Sequence, residues 1–159
     1  MSFDVFLLKF AKGDGCELSR DALRGVFQKH DFRQVSDGFY NIRLQDACEV
    51  ELHARGFTSS ERFTMATFFI RGSSDSIARL IFECAQATGG VLIPTMEGNP
   101  CIMVDVSQRA ELPADFTQPL VECHSAEELA RLLRGGYQAW SRYRDQIVVQ
   151  SHDRPNPAA

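Results

Sequence analysis

The chain has 159 residues, a length that fits one domain with a core large enough to need no disulfide or metal. A hydrophobic share of 44% and a charged share of 24% are ordinary for a globular protein. No apolar run approaches the roughly 18 residues of a membrane span, and the first ten residues lack the basic segment of a signal peptide. We therefore predict one cytoplasmic domain over residues 1–150, a flexible tail over residues 151–159, and no membrane partner.

The number and spacing of the cysteines argue against a disulfide-bonded or metal-binding fold. There are five of them, an odd number, and no two form a CxxC pair: Cys16, Cys48, Cys84, Cys101 and Cys123. A disulfide framework or a zinc site needs tighter spacing. We predict free thiols, no metal and no cofactor.

The first half of the chain reads as one strand, one helix and a run of antiparallel strands. Residues 2–10 are apolar on both faces, which places that strand in the middle of a sheet. Ser19 is positioned to cap the first helix. The Asp37-Gly38 turn joins two short strands. The strand over residues 48–55 then alternates, with Glu49, Glu51, His53 and Arg55 on its outer side, so one face of the sheet is wet there.

Residues 62–106 are the clearest unit. An apolar strand over residues 62–71 precedes a helix that Ser73 or Ser74 caps and that Gly89-Gly90 ends. Two strands follow, over residues 91–94 and 101–106, joined by a turn rich in glycine and proline.

Residues 107–124 show no periodicity, and a loop of that length is either a functional surface or a connector wrapped over the domain. Ser125 and Glu128 then form a capping box for a last helix that reaches about Val149. Gly135-Gly136 predicts a kink in this helix or a split into two.

The element order β-α-β-β-β-β-α-β-β-α predicts the α+β class. We expect a two-layer sandwich in which about three helices pack on one face of a largely antiparallel sheet of five to seven strands.

Charge is unevenly distributed along the chain. Between residues 81 and 130 only Arg109 opposes eight acids, which are Glu83, Glu97, Asp105, Glu111, Asp115, Glu122, Glu127 and Glu128. Such a stretch repels nucleic acid and attracts a basic partner. The other interpretation is a solvated face with acids at helix starts.

No catalytic set emerges from the sequence. His53 lies on the wet face of its strand, where a base could act but a solvated histidine is more common. Cys123-His124 is the nearest approach to a nucleophile–base pair, although neighbours in sequence rarely face each other productively, and the following helix start could lower the thiol pKa. Trp140 falls in phase with the apolar face of the last helix, which favours core packing over nucleic-acid binding.

Three stretches carry a resemblance to known proteins: the opening MSFDVFLLKF, the join ATGGVLIP and the acidic AELPADF. With them, the chain resembles the small cytoplasmic immunity proteins of bacteria that neutralise polymorphic or secreted toxins. The resemblance implies a protein that binds and blocks a cognate toxin without doing chemistry.

We therefore expect a non-enzymatic protein-binding protein with an acidic surface, whose partner is a basic toxin or another protein and not a nucleic acid. The candidate contacts are Glu97, Glu111, Asp115 and Glu122. The alternative is a small-molecule-binding protein or enzyme with a site between sheet and helices near His53 or Cys123-His124. A homo-oligomer formed through an exposed sheet edge is a third hypothesis.

Overall fold

The structure, a computed structural model, describes residues 3–95 and 98–152, with side chains up to Gln146. Within these ranges the strands are β1 (Phe3–Ala11), β2 (Asp14–Cys16), β3 (Asp31–Ser36), β4 (Phe39–Arg43), β5 (Glu49–His53), β6 (Met65–Ile70), β7 (Val91–Pro94), β8 (Cys101–Met103) and β9 (Leu120–Glu122). The α-helices are α1 (Arg20–Phe27), α2 (Asp75–Thr88) and α3 (Ala126–His152), and a 3-10 helix spans Val106–Glu111.

All nine strands of the described chain belong to one sheet, in the order β3-β4-β5-β6-β1-β7-β8-β9, with β2 paired to the end of β1. Every pairing is antiparallel except β8 with β9. The predicted α+β class and the central place of β1 are confirmed. The sheet has more strands than the five to seven predicted because β2 and β9 are three residues long and carry no periodicity.

The helix ends follow local chemistry. Ser19 accepts a hydrogen bond from the Ala22 backbone N–H at 3.2 Å, and Ser74 accepts one from that of Ser76 at 3.1 Å. Gly89 ends α2 in the left-handed region, with φ of +66°. These predicted caps are confirmed.

The last helix, α3, is continuous from Ala126 to His152, so the predicted split at Gly135-Gly136 is wrong. A Cβ on Gly136 would lie 2.9 Å from the Phe3 ring. This glycine therefore allows the helix to approach β1 closely, which is a packing role and not a break.

Side chains fill the space between the helices and the sheet. Phe3, Val5 and Leu7 of β1 have no exposed surface, and they meet Leu80 and Ile81 of α2 in one core. A ligand between these layers would have to displace packed side chains. Among the described helices none is long and apolar enough to cross a bilayer.

Candidate functional site: the open face of the sheet

The side of the sheet opposite the helices is covered at one end only. There the chain between β8 and β9 wraps over the end of β1, and Phe116 meets Phe10 edge to face at 6.4 Å between ring centroids. Val91, Cys101 and Met103 are buried on this side. Of the two interpretations of this irregular segment, the structure supports the wrapped connector.

No described residue covers the rest of that side, and we call it the open face. It is formed by side chains from β4, β5, β6, β1 and β7, namely Phe6, Phe39, His53, Met65, Thr67, Phe69 and Ile93, and Asp4 lies on the same side, opposite Phe69. Five of them share one row across the sheet, since Phe39 pairs with His53, His53 with Thr67, Thr67 with Phe6, and Phe6 with Ile93. At about 4.8 Å between strands, this row spans roughly 19 Å.

The open face is largely apolar. Phe39 is 44% exposed and Met65 is 38% exposed. Phe6, Phe69 and Ile93 are half-buried. These side chains crowd around Thr67 and leave only 2% of it exposed.

Strand alternation explains why β6 contributes to both sides. Ala66, Phe68 and Ile70 are buried toward the helices, so Met65 and Phe69 point to the open face. In the sequence this strand is almost uniformly apolar, which hides the division. The alternation shows which β6 side chains face the helices only once the two strands beside β6 in the sheet are known.

The rim of the open face carries charges that balance one another. Glu51 pairs with Arg71 at 2.9 Å, and Asp31 pairs with Arg33 at 2.8 Å. The hydrogen bond from Arg33 lowers the pKa of Asp31, so that carboxylate remains ionised. Beside them Asn41 donates to Glu49 at 3.3 Å, while its side-chain oxygen is buried without a partner among the described residues.

His53 lies within the open face and is not set up as a base. Its ring stacks on Phe39, with 4.5 Å between centroids. The charged residues beside it on the strand are engaged elsewhere, Glu51 by Arg71 and Arg55 by Glu61. The His53 imidazole forms no hydrogen bond with a described residue.

Cys123 and His124 do not face each other. Cys123 has no exposed surface, and its thiol donates to the Ser125 carbonyl at 3.3 Å. The imidazole of His124 is 65% exposed and lies 3.7 Å from Glu122. Burial raises the pKa of the Cys123 thiol, so the lowering expected from the nearby helix start is wrong.

Two of the four candidate acidic contacts are used inside the molecule. Glu111 accepts a hydrogen bond from the Lys12 backbone N–H at 2.6 Å and so holds the turn between β1 and β2. Glu122 pairs with Arg109 at 3.1 Å. Because these acids are tied to different elements, their proximity in sequence does not produce a patch of free charge.

The other two candidates differ. Asp115 is exposed and forms no hydrogen bond or ion pair with a described residue. Glu97 lies outside the described residues. Most of the remaining acids of this stretch have local roles: Glu83 pairs with Lys29, Asp105 caps the 3-10 helix, and Glu128 accepts a hydrogen bond at the start of α3.

The cysteines are all free, and burial raises the pKa of the Cys101 thiol to about 11. The described part of the chain holds no group of three or more His, Cys, Asp or Glu side chains placed to bind a metal ion.

Comparison with known proteins does not assign the chain to a family. A scan against protein-family models found no match. Searches of the curated proteins and of the solved structures also found none.

Proposed function

We propose that this is a cytoplasmic protein that acts by binding a partner protein, without catalysis, through the open face. The observation that carries the proposal is a largely apolar surface across five strands, on which Phe39 and Met65 are each more than one third exposed. Exposed contiguous apolar surface marks binding sites more often than scattered exposed residues do.

The chemistry of the open face supports a protein partner. Aromatic residues and methionine are enriched at protein interfaces, and paired charges around an apolar centre form the usual rim. Phe6, Phe69 and Met65 would supply the apolar centre, and the Glu51–Arg71 pair lies at its border. Strand pairing on both sides keeps β1, β5 and β6 rigid, so little conformational entropy is lost on binding.

The test is the double substitution Phe39→Thr/Met65→Thr, which removes apolar surface and retains side chains that strands tolerate. The product of the neighbouring gene is the first partner to titrate, by calorimetry with purified proteins. We expect binding to weaken at least tenfold, because the loss of a large apolar side chain that carries binding costs about 1 kcal/mol or more. Equal affinity for the double variant and the wild type would overturn the proposal.

Tyr143→Gln is the matched control, because Tyr143 is 54% exposed but lies on α3, in the layer on the other side of the sheet. It should leave the affinity unchanged. Light scattering on the chain alone identifies a second copy as the partner if a dimer forms and the double substitution dissociates it.

The narrower hypothesis, neutralisation of a basic toxin through acidic contacts, stays a prediction. Asp115→Lys tests it most directly, because this exposed carboxylate has no described partner whose loss would disturb the fold. If acids steer and hold a basic partner, the substitution lowers the association rate and the salt dependence of binding. If the open face alone carries binding, both quantities remain at wild-type values.

A further inference from the structure

A cleft between α2 and α3 is lined by arginine side chains. Its volume is about 320 Å³. Arg79 comes from α2, and Arg131 and Arg134 come from α3, while the small residues Ala126 and Ala130 leave space between them. The cleft lies in the helical layer, so it is distinct from the open face of the sheet.

The arginines of the cleft differ in their partners. Arg134 is committed to Asp75, at 3.0 Å. The side chains of Arg79 and Arg131 form no hydrogen bond or ion pair with a described residue. Each guanidinium carries five N–H donors in a planar fork, so two guanidinium groups that line the cleft have unused donors.

One carboxylate, Glu127, faces the two unpaired arginines. The pKa of Glu127 lies below its ordinary value. The main cause is a hydrogen bond from its own backbone N–H, and the second is a hydrogen bond from the Ser125 side chain. Arg79 and Arg131 add an attraction through space. With Asp75 neutralised by Arg134, Glu127 offsets one of the two remaining cations, and the cleft keeps one positive charge in excess.

We propose that this cleft binds a small oxyanion, a phosphate or carboxylate group, between Arg79 and Arg131. Planar guanidinium groups bind such oxygens in pairs, which gives both affinity and orientation. Ala126 and Glu127, in the first turn of α3, also line this cleft. The volume accommodates a small metabolite that carries the anionic group. This inference does not rest on the proposed protein-binding function.

The experiment is calorimetric titration of the full chain with inorganic phosphate and, separately, with malonate, at constant ionic strength. We expect saturable binding of at least one of them, and the comparison tells phosphate from carboxylate recognition. Arg79→Gln/Arg131→Gln should weaken that binding at least tenfold. Absence of saturable binding to the wild type, or equal binding by the double variant, would overturn the proposal.

The matched control is Arg62→Gln/Arg142→Gln, which removes the same net charge from exposed positions outside the cleft. It should bind as the wild type does, whereas equal weakening would mean that only the net charge matters and would reject the site. Glu127→Gln gives an independent test, because removal of the opposing carboxylate should tighten binding. If it does not, Arg79 and Arg131 do not hold the anion at the proposed position.

Discussion

At the scale of single residues, Gln108 shows how a side chain can complete a sheet. Its amide accepts a hydrogen bond from the Phe10 backbone N–H at 2.9 Å and donates one to the Phe10 carbonyl at 3.1 Å. The pairing of β1 with β7 extends only as far as Leu8, which pairs with Val91, so β7 does not reach Phe10. The amide therefore supplies the donor and acceptor that one more strand residue would have supplied.

We predict that Gln108→Ala destabilises the protein by about 2 kcal/mol, because it leaves both backbone groups of Phe10 without their partner in a partly buried place. Gln108 is only 4% exposed, so water does not replace it without local opening. Urea unfolding measures the change. Gln118→Ala is the control: it makes the same chemical change in the same connector, where the side chain has no hydrogen bond to a described residue, and we expect less than half the effect.

At the scale of elements, the start of α2 is tied to the loop between β4 and β5. The Ser74 hydroxyl donates to Asp46 at 3.1 Å, and the Ser76 hydroxyl bonds to the same carboxylate. Asp46 also accepts from the Cys48 backbone N–H at 3.1 Å. These hydrogen bonds, that from Ser76 first, lower the pKa of Asp46. One exposed carboxylate thus fixes its own loop and the helix cap together.

We predict that Asp46→Asn lowers the melting temperature at pH 7 by about 2–4 °C, as the loss of a helix cap does in a domain of this size. The pKa of Asp46 is lower in the folded than in the unfolded protein, so its contribution is fully present above the unfolded pKa of about 4. The contribution is lost as the pH falls through the folded value.

The difference between wild type and Asp46→Asn, followed by thermal unfolding from pH 7 to pH 2, should therefore be constant at first and shrink below about pH 4. Asp14→Asn is the control, since Asp14 is exposed on β2 and its side chain has no hydrogen bond to a described residue. A difference that persists unchanged at pH 2 would show that Asp46 acts through something other than its charge.

The elements that could be predicted from the sequence are those whose signals are local. The helix caps at Ser19, Ser74 and Gly89 involve backbone groups only a few residues away. The local sequence is therefore enough to predict them. The split predicted at Gly136 was wrong because the contact that favours glycine there is with Phe3, which is far away in the chain. The short strand β9 depends wholly on its parallel pairing with β8, and nothing within its three residues indicates it.

The candidate site could be predicted only in part, for the same physical reason. The outer side of β5 was recognised as wet from its alternation, and Glu51 and His53 do lie there. The open face could not be predicted as one surface, because this needs the strands that flank β6 in the sheet to be known. These are β5 and β1, and β1 is distant from β6 in the sequence. Likewise, the sequence does not indicate that Glu111 accepts a hydrogen bond from the Lys12 backbone, because the two residues are far apart in the chain.

At the scale of the whole molecule, the charge pattern along the chain and the charge pattern in space are different. Most of the described acids of residues 81–130 are engaged within the molecule: Asp105 and Glu128 at helix starts, and Glu83 and Glu122 in ion pairs with Lys29 and Arg109. The helices seal one side of the sheet, and the connector after β8 seals one end of the other. The surface that remains is apolar at its centre and electrically balanced at its border.

The central place of β1 has a consequence for how the protein is made. Strand β1 is apolar on both faces, yet its partner β6 is synthesised about 60 residues later and β7 later still. Until both have emerged, Phe6 and Leu8 have no sheet to join, and the nascent chain exposes them to other chains and to chaperones. The core also contains Leu129, Leu133 and Trp140 of α3, so the protein can close it only after α3 has been synthesised as well.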